Sequence, residues 1–197
     1  MTAEEVTSAT YIGRVGKPVY RRVEEGSLPD AEDVFDALCG IELPETLGTP
    51  GAVLIGPTTR ILANARVMMP IWLAHYRERQ RCKPITAGRA AHLDLHARYI
   101  DRYAAAVIPP PKPSAEELPY SYGDMVSLLV ARFAQYIAST SRPSTGALQQ
   151  EFHVGRHAAG FDVAVAALRG GDVRAPAPEL RCGRIARPLT AFERKKA

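Results

Sequence analysis

The chain has 197 residues, of which 46% are hydrophobic and 23% charged, with three cysteines and a formal net charge of +4. That is too much apolar side chain for a disordered chain and too little cysteine for a disulfide scaffold. The charge is uneven: residues 1 to 122 hold 14 Lys and Arg against 15 Asp and Glu, whereas residues 123 to 197 hold 11 against 6. The whole positive balance therefore lies in the last third, the footprint of a part that meets a polyanion.

The first residues, MTAEEVTSAT, lack the basic start and apolar run of a secretory leader, which predicts a cytoplasmic chain. Tyr11-Ile12, Val19-Tyr20 and Val23 suggest an extended arm or a short hairpin turning at Gly13 and Gly16. A helix follows from Asp30, whose carboxylate can cap it, with Glu32 and Asp33 in the first turn, Val34, Phe35, Leu38 and Ile41 as its stripe, and Gly40 at its end. Leu43 to Pro57 reads as a loop. Thr58 to Arg81 is helical again, with Pro70 expected to kink it or start a new helix. Its most apolar part, Ile61 to Tyr76, is interrupted by Arg66 and too short for a membrane span, so it reads as a buried helix.

Thr86 can cap a further helix running to about Val107. The prolines at 109 to 113 impose an extended chain and mark the best domain boundary. The expected organisation is mainly α-helical: a helical N-terminal domain over 1–108, a Pro-rich linker over 109–122, a helix-turn-helix module, with a wing, over 123–190, and a basic tail over 191–197.

The C-terminal module reads as three helices. The first, about Asp124 to Ala138, places Val126, Leu129, Phe133 and Tyr136 on one face. A short second helix, Thr145 to Phe152, is capped by Ser144, and His153-Val154-Gly155 breaks it, the glycine allowing a left-handed turn. A third, Arg156 to Arg169, carries Ala158, Phe161, Val165 and Leu168 toward a core. Short helix, glycine turn and amphipathic helix are the plan of a helix-turn-helix. Gly170-Gly171 would end it, and Val173 to Ile185 would form a two-stranded wing whose Arg174, Arg181 and Arg184, with Arg187 beyond, contact phosphates.

The run STGALQQEFHVGRHAA, residues 144 to 159, resembles the winged-helix DNA-binding domains typified by the C-terminal gamma domain of FtsK-type DNA translocases. There a Ser/Thr start, a Leu-Gln pair, a Phe, an apolar-Gly turn and an alanine-containing recognition helix recur in this order. The likeness covers about residues 124 to 187. It implies a DNA-facing helix beginning at Gly155, with Arg156 and His157 at its exposed entrance and Ser144, Thr145, Gln149 and Gln150 nearby. The alanines Ala158 and Ala159 fall one position earlier than in that family, and Gly160, Ala164 and Ala167 follow. Few side chains there can reach base edges, which predicts weak sequence choice. The chain carries no ATPase motor motif, so translocation is not implied.

Other constellations are weaker. Two HxxxH pairs occur, His92/His96 and His153/His157. The first lacks the Glu of a zincin, Leu93 standing in its place, and Asp94 points to another face; the second straddles Gly155, which would break its register. No phosphate loop or nucleophile elbow is present. Neither metal nor cofactor is expected, nor an enzyme activity. The expected function is DNA binding by a regulator or accessory architectural factor of bacterial or mobile-element character, the N-terminal domain supplying self-association or a protein contact. A helical adaptor or subunit without DNA binding is the alternative, and a metal-dependent enzyme using His92 and His96 ranks below both.

Overall fold

The computed structural model describes residues 25–39, 56–78, 84–140 and 146–176, with side chains omitted for 146–150. Five helices are described: α1 (Ala31–Leu38), α2 (Pro57–Glu78), α3 (Ala87–Ala104), α4 (Tyr122–Thr140) and α5 (Gly146–Arg169). A two-residue strand, β1 (Glu116–Glu117), pairs in parallel with β2 (Val173–Arg174). The protein is mainly α-helical.

Local chemistry sets several boundaries. Asp30 caps α1 in a reciprocal capping box: its side chain accepts from the Asp33 amide at 3.0 Å, and the Asp33 carboxylate accepts from the Asp30 amide at 3.2 Å. Thr86 caps α3 as its sequence suggests. At α4, Ser121 and Asp124 exchange the same pair of bonds. Pro70 neither splits nor ends α2. It lies on the solvent face, where the carbonyl it leaves without a donor can meet water, while Met68 and Trp72 on the other face stay buried.

Helix α4 is the hub, packing against α2, α3 and α5, with α1 touching α2, α4 and α5. Tyr122, Val126, Leu129, Val130, Phe133 and Ala134 are buried in it, a wider surface than the single stripe expected. They share one core with Leu28 and Val34, with Ile61, Leu62 and Met68 of α2, with Leu93 and Ile100 of α3, and with Val154, Phe161 and Leu168 of α5. Burying a Leu or Ile side chain contributes about 1.5–3 kcal/mol, so this shared cluster dominates stability.

The core thus runs across the expected boundary at 109–113. The Pro-rich segment is clasped rather than free: Lys112 donates its amide to the Gly171 carbonyl at 2.8 Å and its Nζ to Asp172 at 2.5 Å, and the Leu118 amide reaches the Arg174 carbonyl at 3.0 Å. Gly171 has φ +67, and a side chain there would crowd the Pro110 carbonyl. Deeper links join the two ends of the chain. The buried Tyr122 hydroxyl donates to the Pro29 carbonyl at 2.7 Å, Asp162 accepts from the Ala31 amide at 2.8 Å, and Arg169 donates to the Leu28 carbonyl.

The C-terminal helices depart from the expected helix-turn-helix. Residues 146–169 form one continuous helix, and positive φ among the described glycines occurs only at Gly26 and Gly171, not at Gly155. The reason is phase. Val154, Ala158, Phe161, Val165 and Leu168 are all buried and continue one apolar stripe through the glycine without a skip. A helical glycine costs about 1 kcal/mol, and burying Val154 returns more. The wing is also reassigned where it can be seen: Val173-Arg174 is a strand, but its partner is Glu116-Glu117. Residues 175 and 176 carry no regular structure, and 177–185 of that hairpin lie outside the described residues, as do the N-terminal arm before residue 25, the loop from 40 to 55 and the basic tail.

Candidate nucleic-acid interface

The residues expected to face DNA divide into three groups. Ser144, Thr145, Arg181, Arg184 and Arg187 lie outside the described residues, and Gln149 and Gln150 are placed on the first turns of α5 by backbone alone. Arg174 is exposed in β2, 3.5 Å from Glu117, beyond the C-terminal end of α5. Arg156 and His157 stand in the N-terminal half of α5, about 20 Å along the helix axis from its C-terminal end. Arg174 therefore does not join Arg156 and His157 in one local site. Gly155 is buried within α5 rather than opening a recognition helix.

Arg156 is exposed and His157 half-buried. Because α5 is unbroken, His153 and His157 lie one turn apart on the same side, a pairing that a turn at Gly155 would have prevented. Across the seam stands Arg132 of α4. Its Nη1 donates to Gln135 at 3.2 Å, while its Nε is buried with no hydrogen-bond partner. The His157 ring is held at about 4, chiefly by burial and further by the positive charges of Arg132, His153 and Arg156. At neutral pH it is uncharged, so the permanent cations of the cluster are the two arginines.

Arg132 and His153 were not among the residues expected here. His153 becomes visible only when Val154 is recognised as in phase with Ala158 and Phe161. Arg132 had a signal of its own, being the sole charged side chain in the apolar stretch 125–140. Among the described residues, no carboxylate forms an ion pair with Arg132, His153, Arg156 or His157.

The other histidine pair is built differently. His96 Nδ1 lies 2.8 Å from Asn64 Oδ1, and its ring is held below the ordinary histidine value by burial first and by His92 second. Asp94 is engaged by Arg98 at 2.5 Å. Among the described residues no group of three His, Cys, Asp or Glu is arranged to hold a metal, and no described helix is long and apolar enough to cross a membrane.

The outer face of α5 is unusual in a second respect. Phe152 and Val163, which flank Arg156 on that face, are 61% and 71% exposed. Comparison with known proteins adds no relative: no family model, no curated protein and no solved structure matches this chain.

Proposed function

We propose that this chain binds duplex DNA through backbone phosphates, with the N-terminal half of α5 and its seam with α4 facing the duplex. The observation that carries the reading is uncompensated positive charge: Arg156 projects from α5 and Arg132 stands across the seam, neither ion-paired among the described residues. The +5 balance of residues 123 to 197 acts in the same direction, as does the likeness of residues 144 to 159 to translocase gamma domains. The mode differs from the one that likeness implies. With α5 continuous, Phe152, Ala159, Gly160 and Val163 surround Arg156 on its outer face and none of them can hydrogen-bond a base edge, so contacts fall on phosphates. The architectural role fits this mode better than sequence-specific regulation.

Titrating a labelled mixed-sequence duplex with the full chain at increasing salt tests the reading. Affinity should fall steeply, each phosphate contact adding about −0.9 to the log–log slope. Absence of binding at low salt would overturn it. The adaptor reading would then take its place, supported by Phe152 and Val163, since large apolar side chains left outside on one helix face favour a protein contact. Val67, Leu95 and Tyr99, exposed on α2 and α3, support the self-association or protein contact assigned to the N-terminal helices.

A further inference from the structure

We propose that Arg132, His153, Arg156 and His157 form a phosphate-binding site across the α4–α5 seam, and that the site takes up a proton as it fills. The proposal deepens the DNA-binding reading and rests on it for the source of the phosphate, a backbone phosphodiester.

Two helices bring the four side chains together, and each contributes something a phosphate needs. Arg132 is fixed by Gln135 through Nη1 and keeps Nε, a buried donor, unused. Buried donors are nearly always paired, so an orphaned guanidinium N–H beside other cations calls for an acceptor from outside. Arg156 supplies a second guanidinium from the exposed side. A phosphate offers several acceptor oxygens and matches guanidinium groups in both charge and geometry. Among the described residues no carboxylate forms an ion pair there; Glu151 lies near Tyr136, whose phenol is held above its ordinary value by burial and then by that carboxylate, so the phenol stays neutral.

Proton uptake follows from what surrounds His157. Arg132 faces it from α4, and His153 and Arg156 from α5; among the described residues no group on another element contributes to its shift. A phosphate oxygen beside the ring offsets the repulsion from these groups without undoing the burial. The ring then becomes easier to protonate, and its protonated form adds a donor to the bound phosphate. By linkage, affinity rises as pH falls from about 7.5 to 5 and weakens again as pH rises through the value His157 has in the complex.

The experiment measures labelled-duplex affinity of the full chain at constant ionic strength across that range, with wild type, Arg132→Gln, Arg156→Gln and His157→Gln. The wild type should tighten about three- to tenfold toward pH 5. Each arginine substitution should weaken binding at every pH and reduce the magnitude of the salt slope by about one. His157→Gln should bind like wild type near pH 7.5 and lose most of the pH dependence. Duplex binding that persists unchanged in both arginine variants would overturn the site while leaving DNA binding intact. Equal pH dependence in wild type and His157→Gln would overturn the proton uptake alone. Should no duplex bind at all, inorganic phosphate followed through the His157 ring resonances decides: a saturable shift lost in Arg156→Gln supports the site with free phosphate as its ligand, and no shift overturns it. Arg156 is exposed, so that variant keeps the test valid even if Arg132→Gln folds poorly.

Discussion

Helices α3 and α5 both pack on α4, and both carry two histidines at the same spacing, yet the two seams have opposite characters. Around α3 the polar groups find partners within the protein: Asn64 of α2 meets His96, Arg98 meets Asp94 within the helix, and across the seam Asp101 accepts the Gly123 amide of α4 at 2.7 Å. At the α5 seam the histidines sit among arginines, and the Nε of Arg132 has no partner. The spacing is common to both; the neighbours decide what each pair can do. Across one seam a carboxylate answers a buried amide, and across the other a buried donor goes unanswered.

The largest expected effect tests how closed the α3 seam is. A Cβ at Gly123 would lie 2.1 Å from the Ala97 carbonyl oxygen, a contact with backbone that no rotamer change relieves. Gly123→Ala should destabilise the protein by about 3 kcal/mol through overpacking, read as a lowered midpoint in urea with little change in slope. A loss below about 1 kcal/mol would show that this seam can open, and the contrast with α5 would lose its sharpest support.

Acid should weaken the α5 seam next. His157 is held at about 4 in the folded protein against an ordinary value of 6.5, so the unfolded chain binds the proton first as pH falls. Stability from this group is therefore complete above about pH 6.5, declines as pH falls from 6.5 toward 4, and is fully lost below 4. The ring is only half-buried, and solvent screening reduces the contribution to on the order of 1–2 kcal/mol. Urea midpoints for wild type and His157→Gln should lie close together above pH 6.5 and separate below it, the wild type falling further as pH drops toward 4. His96 acts in the same direction, and Asn64→Ala should cost about 0.5–1.5 kcal/mol through its lost hydrogen bond, measured the same way at neutral pH.

What the residues revealed in advance follows the same division. The caps at Asp30 and Thr86 are local, each decided within one turn, and both were legible. So was the helical character of the whole, because the apolar spacing of α2, α3 and α4 is long and regular. Gly155 misled because a glycine between two polar stretches has the chemistry of a turn, and only the phase of Val154 with Ala158 and Phe161 overrides it. The clasp of β2 on β1 was not readable: two residues on either side of a long interval carry no pattern that names their partner. Of the candidate site, Arg156 and His157 came from the motif, while Arg132, marked in the sequence only as the sole charge of its stretch, is brought to them from another helix by packing.

The smallest expected change in stability distinguishes the seams most directly. A buried ionic or polar group that serves the fold is costly to remove, because its partners are left unsatisfied. Arg132 Nε has no partner to abandon, and among the described residues the bond lost with the side chain is the one to Gln135, whose amide can turn to water. Arg132→Met, which keeps the stem and removes the charge, should therefore shift stability by no more than about 0.5 kcal/mol in either direction, and it also removes one of the charges that add to burial in holding His157 down. The same variant should weaken duplex binding, so stability and affinity separate at one residue. A loss of about 2 kcal/mol or more on removing Arg132 would mean that it braces α4 against α5, as Asn64 and Asp101 brace α3, and the two seams would then be alike.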